Sequence, residues 1–241
     1  ANAVSSGQTA RIEKGPRSDG VEPLARATSD LLGWRARETP TAMIEEAYAA
    51  HLHVQSQLLT SGGSALECDV GCYELVVMGV ASENGRTSSF NTAFGRSDSL
   101  AEPLTRFGIA RMMRDLTRQV YTQPIGGRFV GEVVLTPQAV SDLVGWLLDQ
   151  IGDAPLIDGS SLYRDRVGEK IASPLFTLKS RFDGPGCVPV SSDAFTTPPV
   201  EIVAEGRLQM LTPSLYGSRK TGIAHVPVAD SGWEVAAGTA P

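Results

Sequence analysis

The 241 residues are 41% hydrophobic and 20% charged, with a formal net charge of −6, a balance ordinary for a soluble globular protein. That charge argues against a nucleic-acid backbone as partner, which would favour a concentrated basic face, and no apolar run approaches the ~18 residues that would span a bilayer. Three cysteines, Cys68, Cys72 and Cys187, are too few for a disulfide framework and suit a reducing, cytoplasmic compartment; no secretory leader pattern opens the chain, whose first residue is Ala1 rather than methionine.

Residues 1–20 are polar and Gly/Ser-rich, with a short strand at Thr9–Glu13. Val21, Leu24, Ala25, Thr28, Leu31 and Leu32 recur at helical spacing, and Gly33 reads as the stop. Thr39-Pro40 reads as a cap and first-turn proline, so Met43, Ile44, Ala47, His51, Val54 and Leu58 predict one face of a second helix. Tyr73–Ala81 is β-rich, Asn84-Gly85 signals a tight hairpin turn, and Arg86–Phe94 reads as the return strand. Ile109, Met112, Met113, Leu116 and Val120 line a third helix over Leu104–Val120.

A Pro/Gly-rich stretch near 122–128 separates this helix-and-hairpin region (1–122) from a strand-rich C-terminal domain (128–241). The latter opens on a predicted strand at Gly131–Leu135. Thr136 and Pro137 then start an amphipathic helix with Val140, Leu143, Val144, Leu147, Leu148 and Ile151 on its apolar side. Strands follow at Leu175–Phe182, Val200–Ala204 and Arg207–Leu211, the last two joined by a Glu205-Gly206 turn. The expected fold class is α+β, mostly antiparallel in its second half around one central amphipathic helix.

Candidate chemistry is sparse. His51 and His53 lie two apart with no acidic residue between them, and read as a core-edge and a solvated histidine; His225 stands alone. Cys68 and Cys72 read as small buried thiols, because no second Cys/His pair lies at metal-ligand spacing. Ser160, Ser161, Ser191, Ser192 and Cys187 lack a nucleophile elbow, and no phosphate-cradling glycine motif is present. Asp142, Asp149 and Gln150 read as the polar face of a packed helix. Two cationic, tyrosine-bearing segments stand out: Tyr163, Arg164, Arg166 and Lys170 in one, Tyr216, Arg219 and Lys220 in the other.

The order of strand, Thr136-Pro137 cap, amphipathic helix, polar loop Ser160–Lys170 and segment Ser214–Gly222 resembles the TldD/TldE (PmbA) family, also called modulators of DNA gyrase. The resemblance extends from about Leu24 to Trp233 and is densest after Gly131. It implies a two-subunit zinc metalloprotease in which the TldD-type helix carries His-Glu-x-x-x-His. Here Gly145, Trp146 and Gln150 occupy that register, which implies the TldE/PmbA-like subunit, without metal of its own and inactive alone. The zinc is then expected in a TldD-like partner, and this chain completes a cleft for an extended peptide. Tyr163, Arg164, Arg166, Tyr216, Arg219 and Lys220 become candidates for the cleft or the intersubunit interface. Family members are nearly twice as long, so the C-terminal domain is expected to be incomplete relative to them. Two alternatives stay open: a subunit redirected to amide chemistry in small-molecule biosynthesis, and a homodimeric peptide-binding protein without activity.

Overall fold

In a computed structural model, residues 7–17, 20–229 and 231–238 are described. They divide into two units. One contains residues 12–56 and 68–130, the other residues 7–11, 57–67 and 131–238, within the described range.

The first unit is built on β1 (Thr9–Lys14), β2 (Ala42–Leu59), β3 (Ala65–Glu83), β4 (Arg86–Thr87) and β5 (Asn91–Ser97), with some strand ends assigned to the second unit. β3 is central: β1 and β2 flank it along one path, and β4 and β5 also pair with it. Asn84 and Gly85 take positive φ of 51° and 73°, which matches the right-handed twist of the flanking strands and closes the predicted two-residue turn. The return strand is interrupted at Ser88–Phe90, where the Ser88 hydroxyl accepts the Ala81 amide and takes the place of a ladder bond.

Helices α1 (Val21–Glu38), α2 (Pro103–Arg106) and α3 (Ile109–Gln119) complete the unit. α1 overruns its predicted stop at Gly33. Trp34 packs on the core, Arg35 and Arg37 suit the negative end of the helix, and the Arg35 Nε donates to Ala42 O. The predicted third helix is two, broken where Gly108 adopts φ 69°. Leu31, Leu75, Val77, Ile109, Met113 and Leu116, each 1% exposed or less, form the centre of the core. Full burial of one such side chain is worth about 1.5–3 kcal/mol.

The predicted second helix at 43–58 is the strand β2. Its Ala, Glu, Gln and Leu content favours a helix locally, but pairing with β3 satisfies its backbone. The bonds from Thr60 N to Ser64 O and from Ser82 N to Thr41 O, at opposite ends, run the two strands antiparallel. Thr39, expected to start that helix, instead ends α1 through its amide bond to Arg35 O.

The second unit contains α4 (Pro137–Ile151), α5 (Asp153–Asp158), β6 (Leu178–Ser180), β7 (Glu201–Ala204), β8 (Arg207–Leu208), α6 (Leu215–Thr221) and β9 (Trp233–Val235). The strands form an antiparallel sheet in the order β8-β7-β6-β9. The Thr136 hydroxyl caps α4 by accepting the Ala139 amide, and Pro137 occupies the first turn, where an amide donor is not needed. Leu147, Ile151, Leu156, Leu178, Ile202, Val203 and Leu208 form the core. The expected strand at 131–135 belongs to no ladder among the described residues. It is an extended segment in which Val133, Val134 and Leu135 are 66%, 96% and 48% exposed. Its alternation is strand-like, but a strand needs a ladder for its backbone, and 131–135 forms none with any described strand.

Candidate functional site

The second unit concentrates the features worth weighing, beginning with α4. Gly145 has open space where a side chain would stand. It lines a cavity of about 640 Å³ with Val140, Val144 and Leu148 of the same helix and Trp233 and Val235 of β9. Trp146 is 47% exposed and meets the Tyr163 ring edge-on, with ring centroids 6.2 Å apart. Gln150 is committed to the following loop: its side-chain oxygen accepts the Leu162 amide at 3.2 Å and its carbonyl accepts the Ser161 hydroxyl at 2.7 Å. Neither Gly145 nor Trp146 offers a metal donor, and the amide oxygen of Gln150 is already engaged, so the three positions do not fit a zinc ion. Among the described residues, no group of three or more His, Cys, Asp or Glu could hold a metal.

The loop after α5 carries the first cationic segment. Arg164 donates to Leu156 O at 3.1 Å, which ties the loop to α5. Arg166 pairs with Glu169 at 2.9 Å and lies over the Tyr163 ring at 5.7 Å. The second segment is α6, where Lys220 Nζ sits 5.6 Å from the centre of the exposed Tyr216 ring and Arg219 is exposed. The structure does not make one cluster of the six residues: what the two segments share is α5, on which Arg164 and the start of α6 both rest.

The anchoring of α6 was not legible from motifs. The Asp153 carboxylate accepts the Ser214 amide at 2.7 Å and the Ser214 hydroxyl; that hydroxyl in turn accepts the Tyr216 and Gly217 amides. Asp193 accepts the Leu215 amide at 2.9 Å and lies 3.4 Å from the His225 ring nitrogen, whose ring also meets Phe195. A Cβ on Gly217 would overlap the Asp153 carboxylate. Ser214 before an apolar residue is a readable cap, but the two acids lie 61 and 22 residues from their partners. The hydroxyl is fully occupied, so this constellation fixes a helix and presents no free nucleophile.

The remaining sequence candidates fall elsewhere. His51 bonds to Pro16 O, while His53 bonds to Asp69 at 2.6 Å and holds that carboxyl below its ordinary range. Burial pushes the Cys68 thiol up, and Cys72 is likewise buried. Cys187 is half-buried near Pro185 O. Ser160 donates its amide to Asp158, and Ser191 is buried in a turn with Phe195.

Residues 128–232 match the profile of the PmbA/TldA metallopeptidase C-terminal domain. This part of the chain is similar to the PmbA/TldD family. The fold agrees with three solved structures, each with 91% of this chain covered. TldE from Thermococcus kodakarensis superposes with TM-score 0.70 at 14% identity. A candidate modulator of DNA gyrase from Bacteroides thetaiotaomicron VPI-5482 gives 0.72 at 15%, and another from Thermotoga maritima MSB8 gives 0.68 at 13%. The chain spans about half the length of these proteins, 51%, 51% and 53% respectively. A comparison with curated protein sequences gives no match. No described helix is long and apolar enough to cross a membrane.

Proposed function

We propose that this chain is a TldE/PmbA-like subunit of a two-subunit cytoplasmic metallopeptidase, which completes the peptide-binding cleft of a zinc-bearing, TldD-like partner. The observation that carries this reading is the state of α4. In the register where a catalytic subunit of this family has His-Glu-x-x-x-His, Gly145 opens a cavity, Trp146 packs on Tyr163, and Gln150 holds the loop at Leu162. These residues shape and brace a surface; none is a base that could take a proton from a metal-bound water. The peptide would be gripped through backbone hydrogen bonds, which tolerate many sequences. Arg164, Arg219 and Lys220 supply cations that could orient its carbonyls or carboxylate. The bond-breaking chemistry belongs to the partner.

Metal analysis of the purified chain tests this directly: the expected result is substoichiometric zinc and no peptide hydrolysis. One tightly held zinc per chain, with chelator-sensitive cleavage, overturns it. The apolar segment at 129–135, which joins no ladder among the described residues and exposes Phe129, Val130, Val133 and Val134, favours assembly with a TldD-like chain or with a second copy. Light scattering of the chain alone should report a dimer or larger; a stable monomer at micromolar concentration counts against the assembly.

A further inference from the structure

Loop 189–197 of the second unit is closed on itself and held by residues remote in sequence. The Thr197 amide donates to Pro189 O at 2.8 Å, Val190 and Thr196 pair as an antiparallel bridge, and the Ser191 amide donates to Phe195 O at 2.9 Å. The Ser191 hydroxyl accepts the Phe195 amide in return. Val190, Ser191, Ala194 and Thr197 are buried. Ala194 takes φ 61°, a left-handed conformation that a residue with a side chain adopts only where its surroundings impose it. A loop whose backbone is paired across itself shifts as one piece rather than residue by residue.

Two of its residues hold different elements. Asp193, near the tip, accepts the Leu215 amide, the first helical donor of α6, at 2.9 Å. Nearer the base, the Thr196 amide and hydroxyl both donate to the side-chain oxygen of Gln8, at 2.8 and 3.1 Å. Gln8 is itself fixed through its backbone: its amide donates to the Ser64 hydroxyl at 3.3 Å, and its carbonyl accepts the Ala65 amide at 2.7 Å. These strand ends belong to the same unit as the loop and α6. Although 188 residues separate Gln8 from Thr196, the loop joins them to the start of α6. The Leu215 amide depends on this loop, whereas the Tyr216 and Gly217 amides are taken by Ser214, which rests on Asp153 of α5.

We propose that loop 189–197 is a strut that sets the first turn of α6, with Gln8 as its remote positioning residue. Removing the Gln8 oxygen releases Thr196, lets the loop shift as a body, and withdraws Asp193 from Leu215. The proposal goes beyond the peptide-cleft reading and stands without it: whatever α6 meets, its first turn is tied to the strand ends at Gln8 and Ser64.

Amide hydrogen exchange of the purified chain, followed residue by residue by NMR, tests the strut. Gln8→Ala should speed exchange at Leu215 by at least about tenfold, the worth of the hydrogen bonds released. The Thr212 amide, which donates to Ile151 O, should keep its parent rate and so report an intact core. Gln8→Glu retains an acceptor at the same reach and should keep Leu215 slow. In an Asp193→Ala chain, where Leu215 has already lost its acceptor, Gln8→Ala should add nothing, since two changes in one chain of contacts are not additive. An unchanged Leu215 rate in Gln8→Ala overturns the strut. Equal acceleration of Leu215 and Thr212 does the same, by assigning the effect to general destabilisation. A Gln8→Glu chain as fast as Gln8→Ala, or a full further acceleration in the Asp193→Ala background, would show that Gln8 does not act through Thr196 and Asp193, and overturns it as well.

Discussion

Helices α3 and α4 carry the same kind of apolar stripe, yet they are seated to different depths. In α3, Ile109, Met113 and Leu116 are fully buried and Met112 is 7% exposed. In α4, Leu147 and Ile151 are buried, but Leu143 and Trp146 remain 56% and 47% exposed, and Gly145 borders a cavity. One helix is spent on cohesion of its unit. The other anchors its last turns and leaves its middle exposed. An apolar stripe therefore predicts a helix without telling how much of it will be covered.

The largest test of this contrast is a pair of truncations. Leu116→Ala should destabilise the chain by about 2–5 kcal/mol, because it removes buried atoms and leaves a cavity. Leu143→Ala should shift stability by no more than about 0.5 kcal/mol. Urea denaturation measures both. Comparable losses would mean that α4 is covered in solution, and the distinction between the helices would collapse.

The second unit has its own tight place, at the junction of α5 and α6 rather than along α4. Gly217→Ala would drive a methyl group into the Asp153 carboxylate and disturb the amides that Ser214 caps. Overpacking of this kind costs about 1–3 kcal/mol. A thermal midpoint equal to the parent's would show that α6 can lift away freely, and would remove the reason for assigning its cations a fixed position.

Among the described residues, the first unit holds a buried charge and the second does not. Glu74, 9% exposed, accepts the Tyr48 hydroxyl at 2.8 Å and pairs with Arg96 at 3.0 Å. The Tyr48 bond, assisted by Arg96, holds its carboxyl below the ordinary glutamate range. A depressed folded-state value contributes stability that is present above the unfolded value, near pH 4.3, and is lost as pH falls through the folded value. Glu74→Gln should therefore cost roughly 1–2 kcal/mol at neutral pH, with the difference from the parent shrinking below about pH 4. A pH-independent difference would assign the loss to packing instead of charge.

Much of the architecture was legible locally. In the two tight turns, Asn84, Gly85 and Gly206 adopt the positive φ that such residues invite, while Glu205 takes φ 48° against its own preference; the Thr136-Pro137 cap starts α4 as its chemistry requires. What escaped was set by distant partners. Residues 42–59 have helical spacing and propensity, and only the neighbouring β3 makes them a strand; residues 131–135 alternate like a strand and have no ladder. The candidate site divides the same way. Gly145, Trp146 and Gln150 could be placed by register. That Gln150 braces Leu162, or that Asp153 and Asp193 anchor α6, follows only once the chain has folded.

The smallest expected effect on stability belongs to the cations, and it sharpens the contrast between cohesion and display. Lys220 is exposed and lies over the exposed Tyr216 ring, so Lys220→Ala should change stability by no more than about 0.5 kcal/mol. Arg164→Ala should cost somewhat more, because Arg164 ties its loop to Leu156. If these cations meet substrate, each loss should weaken peptide processing by the assembled complex by roughly 1.5–3 kcal/mol, a ten- to hundredfold effect. Lys220 separates the two roles most cleanly, since its activity loss would come with almost no change in stability. Full activity in Lys220→Ala and Arg219→Ala would reduce α6 to a braced surface helix.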